Sequence, residues 1–156
     1  MDRPQSPRCR EDIERPRRSY GTTLMLPETA RWPRSGSRED SIFSAAHRLF
    51  RRDWSDERNA HVFGDCSHEN WHGHNYELEV TVAGVVDSEA GFVMDLKTLR
   101  DLVQQHVVND VDHRNLNLDV PWMEGVLPST ENVVVAVWNR LVDVLPAGVR
   151  LERVLL

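Results

Sequence analysis

The stretch "CSHENWHGHNYELEV", Cys66 to Val80, sets a cysteine, three histidines and a glutamate within nine residues and then settles into strict alternation. From His72 onward, His72, His74, Tyr76, Leu78, Val80 and Val82 share one side, against Gly73, Asn75, Glu77, Glu79 and Thr81 on the other. That period of two predicts a half-buried strand with both histidines at the end of its apolar face. Two imidazoles placed in this way can reach one ion, each at roughly 2.0 to 2.1 Å. Gly73 between them leaves the backbone free to adjust. A lone pair of this kind is more often simply two surface residues, so a third ligand is needed. His47, near the end of the strand candidate "SIFSAAHRLF" (41–50), can supply it if the two strands are neighbours. The fourth tetrahedral position would then stay open, as a catalytic zinc requires.

Downstream, Gly91 marks a turn, after which Phe92, Leu96, Leu99, Val103 and Val107 recur at helical spacing as far as about Asn109, with Asp95 as the N-cap. An irregular loop rich in Asn and Asp follows, punctuated by Pro121, Gly125 and Pro128. Ser129 or Thr130 then caps a helix with the stripe Val134, Val137, Trp138, Leu141 and Leu145, stopped by Pro146, and "VRLERVLL" begins another strand. The order strand, strand, helix, loop, helix, strand predicts an α+β sheet with helices on one face.

Upstream, residues 1–40 carry five prolines, nine arginines and seven acids with no sustained apolar period, and read as a disordered tail. The remaining 41–156 hold ten basic and eighteen acidic residues, a net charge of −8 with histidines neutral, which argues against nucleic-acid binding through the overall field. No apolar run approaches the roughly 20 residues of a membrane span and the N-terminus lacks a secretory h-region, so a cytoplasmic protein is expected. In such a compartment neither Cys9 nor Cys66 is expected in a disulfide.

Cys66 precedes His72 by six residues and admits several readings: a fourth ligand closing a structural site, a thiolate acting as base beside the metal, or a buried small hydrophobe. Asp112 and His113 form a candidate carboxylate–imidazole pair that could help deprotonate a thiol, although adjacent Asp and His are common in loops. Glu131 equally suits the first turn of a helix, where an acid favours the macrodipole.

Taken in order, "FSAAHRL", Cys66 followed by "HGHNY", "GFVMDLKTL", "DHRNLN", "DVPW" and "STENVVVAVWNRL" resemble the 6-pyruvoyl tetrahydropterin synthase family and its 6-carboxytetrahydropterin synthase relatives, over roughly 41–156. The resemblance implies the tunnelling fold (T-fold), a four-stranded antiparallel sheet with two helices on one face. Its subunits assemble as trimers and then hexamers, with active sites at their interfaces. It further implies Zn2+ on His47, His72 and His74, a proton relay of Cys66, Asp112 and His113, and substrate binding by Thr130 and Glu131. The implied reaction converts 7,8-dihydroneopterin triphosphate to 6-pyruvoyl-tetrahydropterin with loss of triphosphate. The spacing between Cys66 and His72 resembles the pyruvoyl-forming branch rather than the carboxy-forming branch of queuosine biosynthesis. Glu69, three before His72, resembles the arrangement in relatives that cleave the side chain to 6-hydroxymethyl-dihydropterin, and it reads equally well as a solvated loop acid. "RLERVLL" stops where relatives continue into a strand bearing a pterin-anchoring glutamate, so the last strand is expected to be truncated. A non-enzymatic alternative is a zinc-stabilised binding module in which Cys66 joins the three histidines.

Overall fold

The computed structural model describes residues 35–156. Strand β1 (Ser35–His47) pairs antiparallel with β2 (His72–Gly84) along all thirteen residues of each, from Ser35 opposite Gly84 to His47 opposite His72. Strand β4 (Val149–Leu155) adds antiparallel to the other edge of β2, between Glu79 and Gly84, with an irregular step between Thr81 and Val82. The fourth strand, β3 (Arg114–Asn115), is two residues long and runs parallel to β1 beside Ala45 and Ala46. The sheet order is therefore β3-β1-β2-β4 and the sheet is mixed, where a purely antiparallel one was expected. The reason is local: the chain leaves the helix at Asp112 and needs only two residues against the end of β1 before it turns away.

Helix α1 (Asp56–Phe63) follows β1, and α2 (Leu96–Val103) follows β2. The helical path of α2 continues through a π-helical turn (Gln104–Val108) into the short α3 (Asn109–Val111). Helix α4 (Thr130–Leu141) precedes β4. Asp95 accepts from Thr98 N at the start of α2, and Ser129 accepts from Asn132 N at the start of α4. These side chains satisfy backbone donors that have no partner in the first helical turn. Helix α2 packs against β1 and α4 against β4, and both cover the face carrying Phe43, Tyr76, Leu78, Val80, Val82 and Leu151. The alternation read from β2 is the alternation observed. Tyr76, Leu78, Val80 and Val82 are buried, whereas Asn75 and Glu77 are exposed.

Several boundaries differ from expectation. Strand β1 begins at Ser35, so residues 35–40 belong to the sheet and not to a tail ending at 40. The polar sequence there conceals a buried Glu39, whose carboxylate pairs with Arg100 of α2 at 3.1 Å. The rest of the expected tail, with Cys9, lies outside the described residues. Phe92 and Leu96 are 46% and 53% exposed, so the buried stripe of the first long helical segment starts at Leu99. The π-helical turn then admits one extra residue per turn, which buries Val107 and Val108 together ahead of Val111. In α4 the fully buried positions are Val133, Val137 and Leu141, with Val134 only half-buried. Helix α1 was not expected, because Asn59 is its only buried residue and it shows no apolar period. Asn59 anchors it by accepting from Arg51 N at 2.8 Å and donating to Arg51 O at 3.0 Å.

Candidate active site

Antiparallel register alone brings the three histidines together. His47 is the direct partner of His72, and His74 is the partner of Ala45, so all three rings project from the helix-covered face at one end of the β1–β2 ladder. Their ring centroids are 4.5 to 5.0 Å apart, and one donor atom from each lies within 4.8 Å of the others. Gly73 suits this geometry, because a Cβ there would stand 3.3 Å from the Ala45 carbonyl oxygen, a tight approach to which the facing strand would have to adjust slightly. Just before the ladder, Trp71 adopts a left-handed φ of 63°, turning the chain abruptly from the Cys66 loop into β2. A bulky residue held there stores backbone strain, which the surrounding contacts must offset.

His47 is buried, and its Nδ1 lies 2.8 Å from the carbonyl oxygen of Pro128. An imidazole that donates through Nδ1 presents its Nε2 lone pair, and His47 Nε2 lies 2.9 Å from His72 Nε2. His72 Nδ1 is buried without any hydrogen-bond partner. Burial, and then the neighbouring rings, push both His47 and His72 toward the neutral form, with the Pro128 and Asp65 oxygens opposing in turn. Neutral, converging imidazoles, one of them fixed in its tautomer by a backbone carbonyl, suit a divalent metal ion. Among the described residues this is the one group of three or more His, Cys, Asp or Glu that could hold a metal.

The cluster opens on a cleft of about 550 Å³ lined by His47, His74, Cys66, Tyr76, Thr130 and Glu131, among others. That size falls within the roughly 300 to 1,000 Å³ of small-molecule sites. Cys66 is a half-buried free thiol in a 3-10 turn (Gly64–Ser67) at the end of α1. Thr130 and Glu131 enter from the first turn of α4. Tyr76 also lines it, and burial, then Cys66, raises the proton affinity of its hydroxyl. Glu69 is exposed in the turn between Ser67 and His72 and does not line this cleft.

Asp112 and His113 do form a pair, with Asp112 Oδ2 at 3.0 Å from His113 Nδ1. Asp112 Oδ1 also accepts from Ser44 N at 2.9 Å, and these bonds lower the carboxyl's proton affinity, the Ser44 amide most. His113 has a left-handed φ of 57° and is 83% exposed. Its ring lines a second hollow, which shares His74 and Asn75 with the first but is lined by neither Cys66 nor Glu131. One chain thus joins Cys66 to the histidines and Glu131, and keeps His113 out of that cleft.

The sequence profile described as 6-pyruvoyl tetrahydropterin synthase matches residues 37–156. The chain is 47% identical over 107 residues to the 6-pyruvoyl tetrahydrobiopterin synthase of Pongo abelii, covering 69% of this chain and 74% of that protein. Against the protein of the same name from Homo sapiens, identity is 46% with the same coverage. The solved structure of Caenorhabditis elegans 6-pyruvoyl tetrahydropterin synthase superposes with a TM-score of 0.71 at 36% identity, covering 78% of this chain and 90% of that one.

Proposed function

The chain belongs to the 6-pyruvoyl tetrahydropterin synthase family, and from that premise we propose that it is a lyase converting 7,8-dihydroneopterin triphosphate to 6-pyruvoyl-tetrahydropterin. The observation that carries this reading is a cluster of three converging imidazoles, two of which, His47 and His74, line one cleft with a free thiol and the acid of a helix first turn. His47, His72 and His74 would hold a zinc ion, which would supply Lewis-acid activation, making the substrate's side-chain hydroxyls and the adjoining carbon more acidic. Cys66, as thiolate, takes a proton from the side chain. The electron pair left behind moves within the side chain and ring, so oxidation and reduction balance inside one molecule, and triphosphate departs as the leaving group. Thr130 and Glu131, in the first turn of α4, serve as substrate-binding groups in the same cleft as Cys66.

The Asp112–His113 pair would complete the relay by accepting the proton from Cys66. Since the two groups face different clefts of one chain, a neighbouring subunit is the natural source of the pair, in a homohexamer built from trimers. Light scattering that returned a monomer at micromolar concentration would remove the shared relay.

Product analysis after incubation with dihydroneopterin triphosphate tests the whole reading. 6-Pyruvoyl-tetrahydropterin with stoichiometric triphosphate is expected. 6-Carboxytetrahydropterin would move the chain to the queuosine branch. 6-Hydroxymethyl-dihydropterin, lost on Glu69→Gln, would move it to side-chain cleavage, which the placement of Glu69 outside the cleft argues against.

A further inference from the structure

His47 and Cys66 lie on different elements, and the segment between them follows β1 into a helix with one buried residue. Some specific connection must hold the cysteine turn at the end of the ladder. Two hydrogen bonds cross between the turn and the two residues after His47. Leu49 N donates to the Cys66 carbonyl at 2.7 Å, and Arg48 Nε donates to the Ser67 carbonyl at 2.7 Å. The Arg48 guanidinium carbon sits 4.3 Å from the centre of the Phe50 ring, which fixes the side chain's direction. Ser67 is buried and its hydroxyl donates back to the Gly64 carbonyl at 2.8 Å, closing the turn on itself.

Arg48 is itself held from the other side. Its backbone N–H donates to Asn117 Oδ1 at 2.9 Å, and its carbonyl accepts from Asn117 Nδ2 at 3.0 Å. The amide of Asn117 thereby continues the parallel β3–β1 ladder beyond the last strand pair at Ala46 and Asn115, with a side chain doing the work of backbone. Both residues stand in the motifs "FSAAHRL" and "DHRNLN", and neither lines the cleft that holds Cys66.

We propose that Arg48 and Asn117 are positioning residues forming a latch that holds the Cys66 turn against the metal-binding end of the sheet. The proposal rests on the reading of Cys66 as the base. The charge-assisted bond holds the turn at Ser67, one residue from the thiol, and Leu49 N holds it at the Cys66 carbonyl; with the first bond gone the turn can pivot about the second, and the thiol moves relative to the three imidazoles while their ladder stays intact. Displacement of a reacting group by about 1 Å costs up to ~10²-fold in rate.

The test uses the full chain loaded with zinc. Arg48→Met keeps the apolar stem over Phe50 and removes the donor; Arg48→Lys restores a donor and the charge. At one fixed pH, iodoacetamide modification of Cys66, followed on the Cys66 peptide by mass spectrometry, should quicken about tenfold in Arg48→Met, the scale of one hydrogen bond. Turnover number should drop by ~10- to 100-fold with KM and zinc content within about twofold, and Arg48→Lys should recover most of both readouts. Unchanged modification in Arg48→Met overturns the latch, as does failure of Arg48→Lys to recover it. If Arg48→Met does not fold, Asn117→Ala leaves the Arg48 side chain in place and should quicken modification in the same direction; no change there overturns the latch as well. Faster modification with full turnover leaves the latch standing and removes Cys66 as the base, and full turnover in Cys66→Ala would independently report that second failure.

Discussion

The 2.8 Å contact between His47 Nδ1 and the Pro128 carbonyl ties one ring of the three-histidine cluster to the residue that precedes the N-cap of α4. The same short segment therefore fixes the tautomer of one imidazole and aims Thr130 and Glu131 into the cleft. Such an outer partner orients a ligand and raises its basicity.

His74 is the exposed member of the cluster, its ring edge-on to the buried Tyr76 ring at 5.8 Å. Replacing it by Ala should weaken zinc binding by more than the ~10- to 100-fold typical of an outer-partner loss, with the fold kept. Elemental analysis after gel filtration reads the change, and stoichiometric zinc in the variant would refute the three-histidine site.

Cys66→Ala should retain zinc and lose turnover by ~10²- to 10⁴-fold, the scale of general acid–base catalysis. In the cobalt-substituted protein, the parent should lack an intense sulfur charge-transfer band. Such a band, with zinc lost from the variant, would make Cys66 a ligand in a closed structural site.

Burial holds His47 and His72 below the ordinary imidazole range in the metal-free protein. The unfolded chain takes up those protons at about pH 6.5, before the folded chain does. Between the two affinities the unfolded state binds more protons, so stability is complete above about pH 6.5 and declines as pH falls toward the lowered folded values. The Tm of chelator-treated protein should therefore decrease from about pH 7 to about pH 5, and His47→Gln should flatten the slope. A Tm independent of pH in the parent over that range would contradict the assignment.

Glu39 is 8% exposed and Arg100 65% exposed in their side chains, so only the acid is sealed from water. Arg100→Met should destabilise the fold by about 1 to 3 kcal/mol, the cost of leaving a buried polar group unpaired, reduced by the exposure of the arginine. Adding Glu39→Gln should recover part of the loss. Denaturant titration of both variants measures it.

The ladder was legible because its period survives to the end: His72 and His74 obey the same parity as Leu78 and Val80. Pairing with His47 depended on knowing that the first strand was a neighbour, which spacing leaves open and register decides. Helix α1 was illegible because it is held by the amide of Asn59 and not by an apolar stripe. Its one signal was Ser55 ahead of Asp56 and Glu57, a capping residue with acids in the first turn. The hidden start of β1 has a similar cause, since Glu39 takes a core position that hydropathy assigns to an apolar residue. The separation of His113 from the Cys66 cleft depends on chain geometry at Asp112, which no local pattern encodes.

The π-helical turn at Gln104–Val108 has a consequence for how this sequence tolerates insertions and deletions. A π turn is a one-residue insertion absorbed within an α-helix, and each residue of such a helix rotates the following chain by about 100°. Deleting Gln105 should therefore let a regular helix run through the segment with Val111 still facing the core, and with Asp112 and His113 still reaching Ser44. Forcing the full-length segment into a regular helix, by contrast, would rotate everything after it by about 100° and turn Val111 away from the core. A homologue one residue shorter between Val103 and Asn109 can thus bring its aspartate to the same edge of the sheet with an unbroken helix.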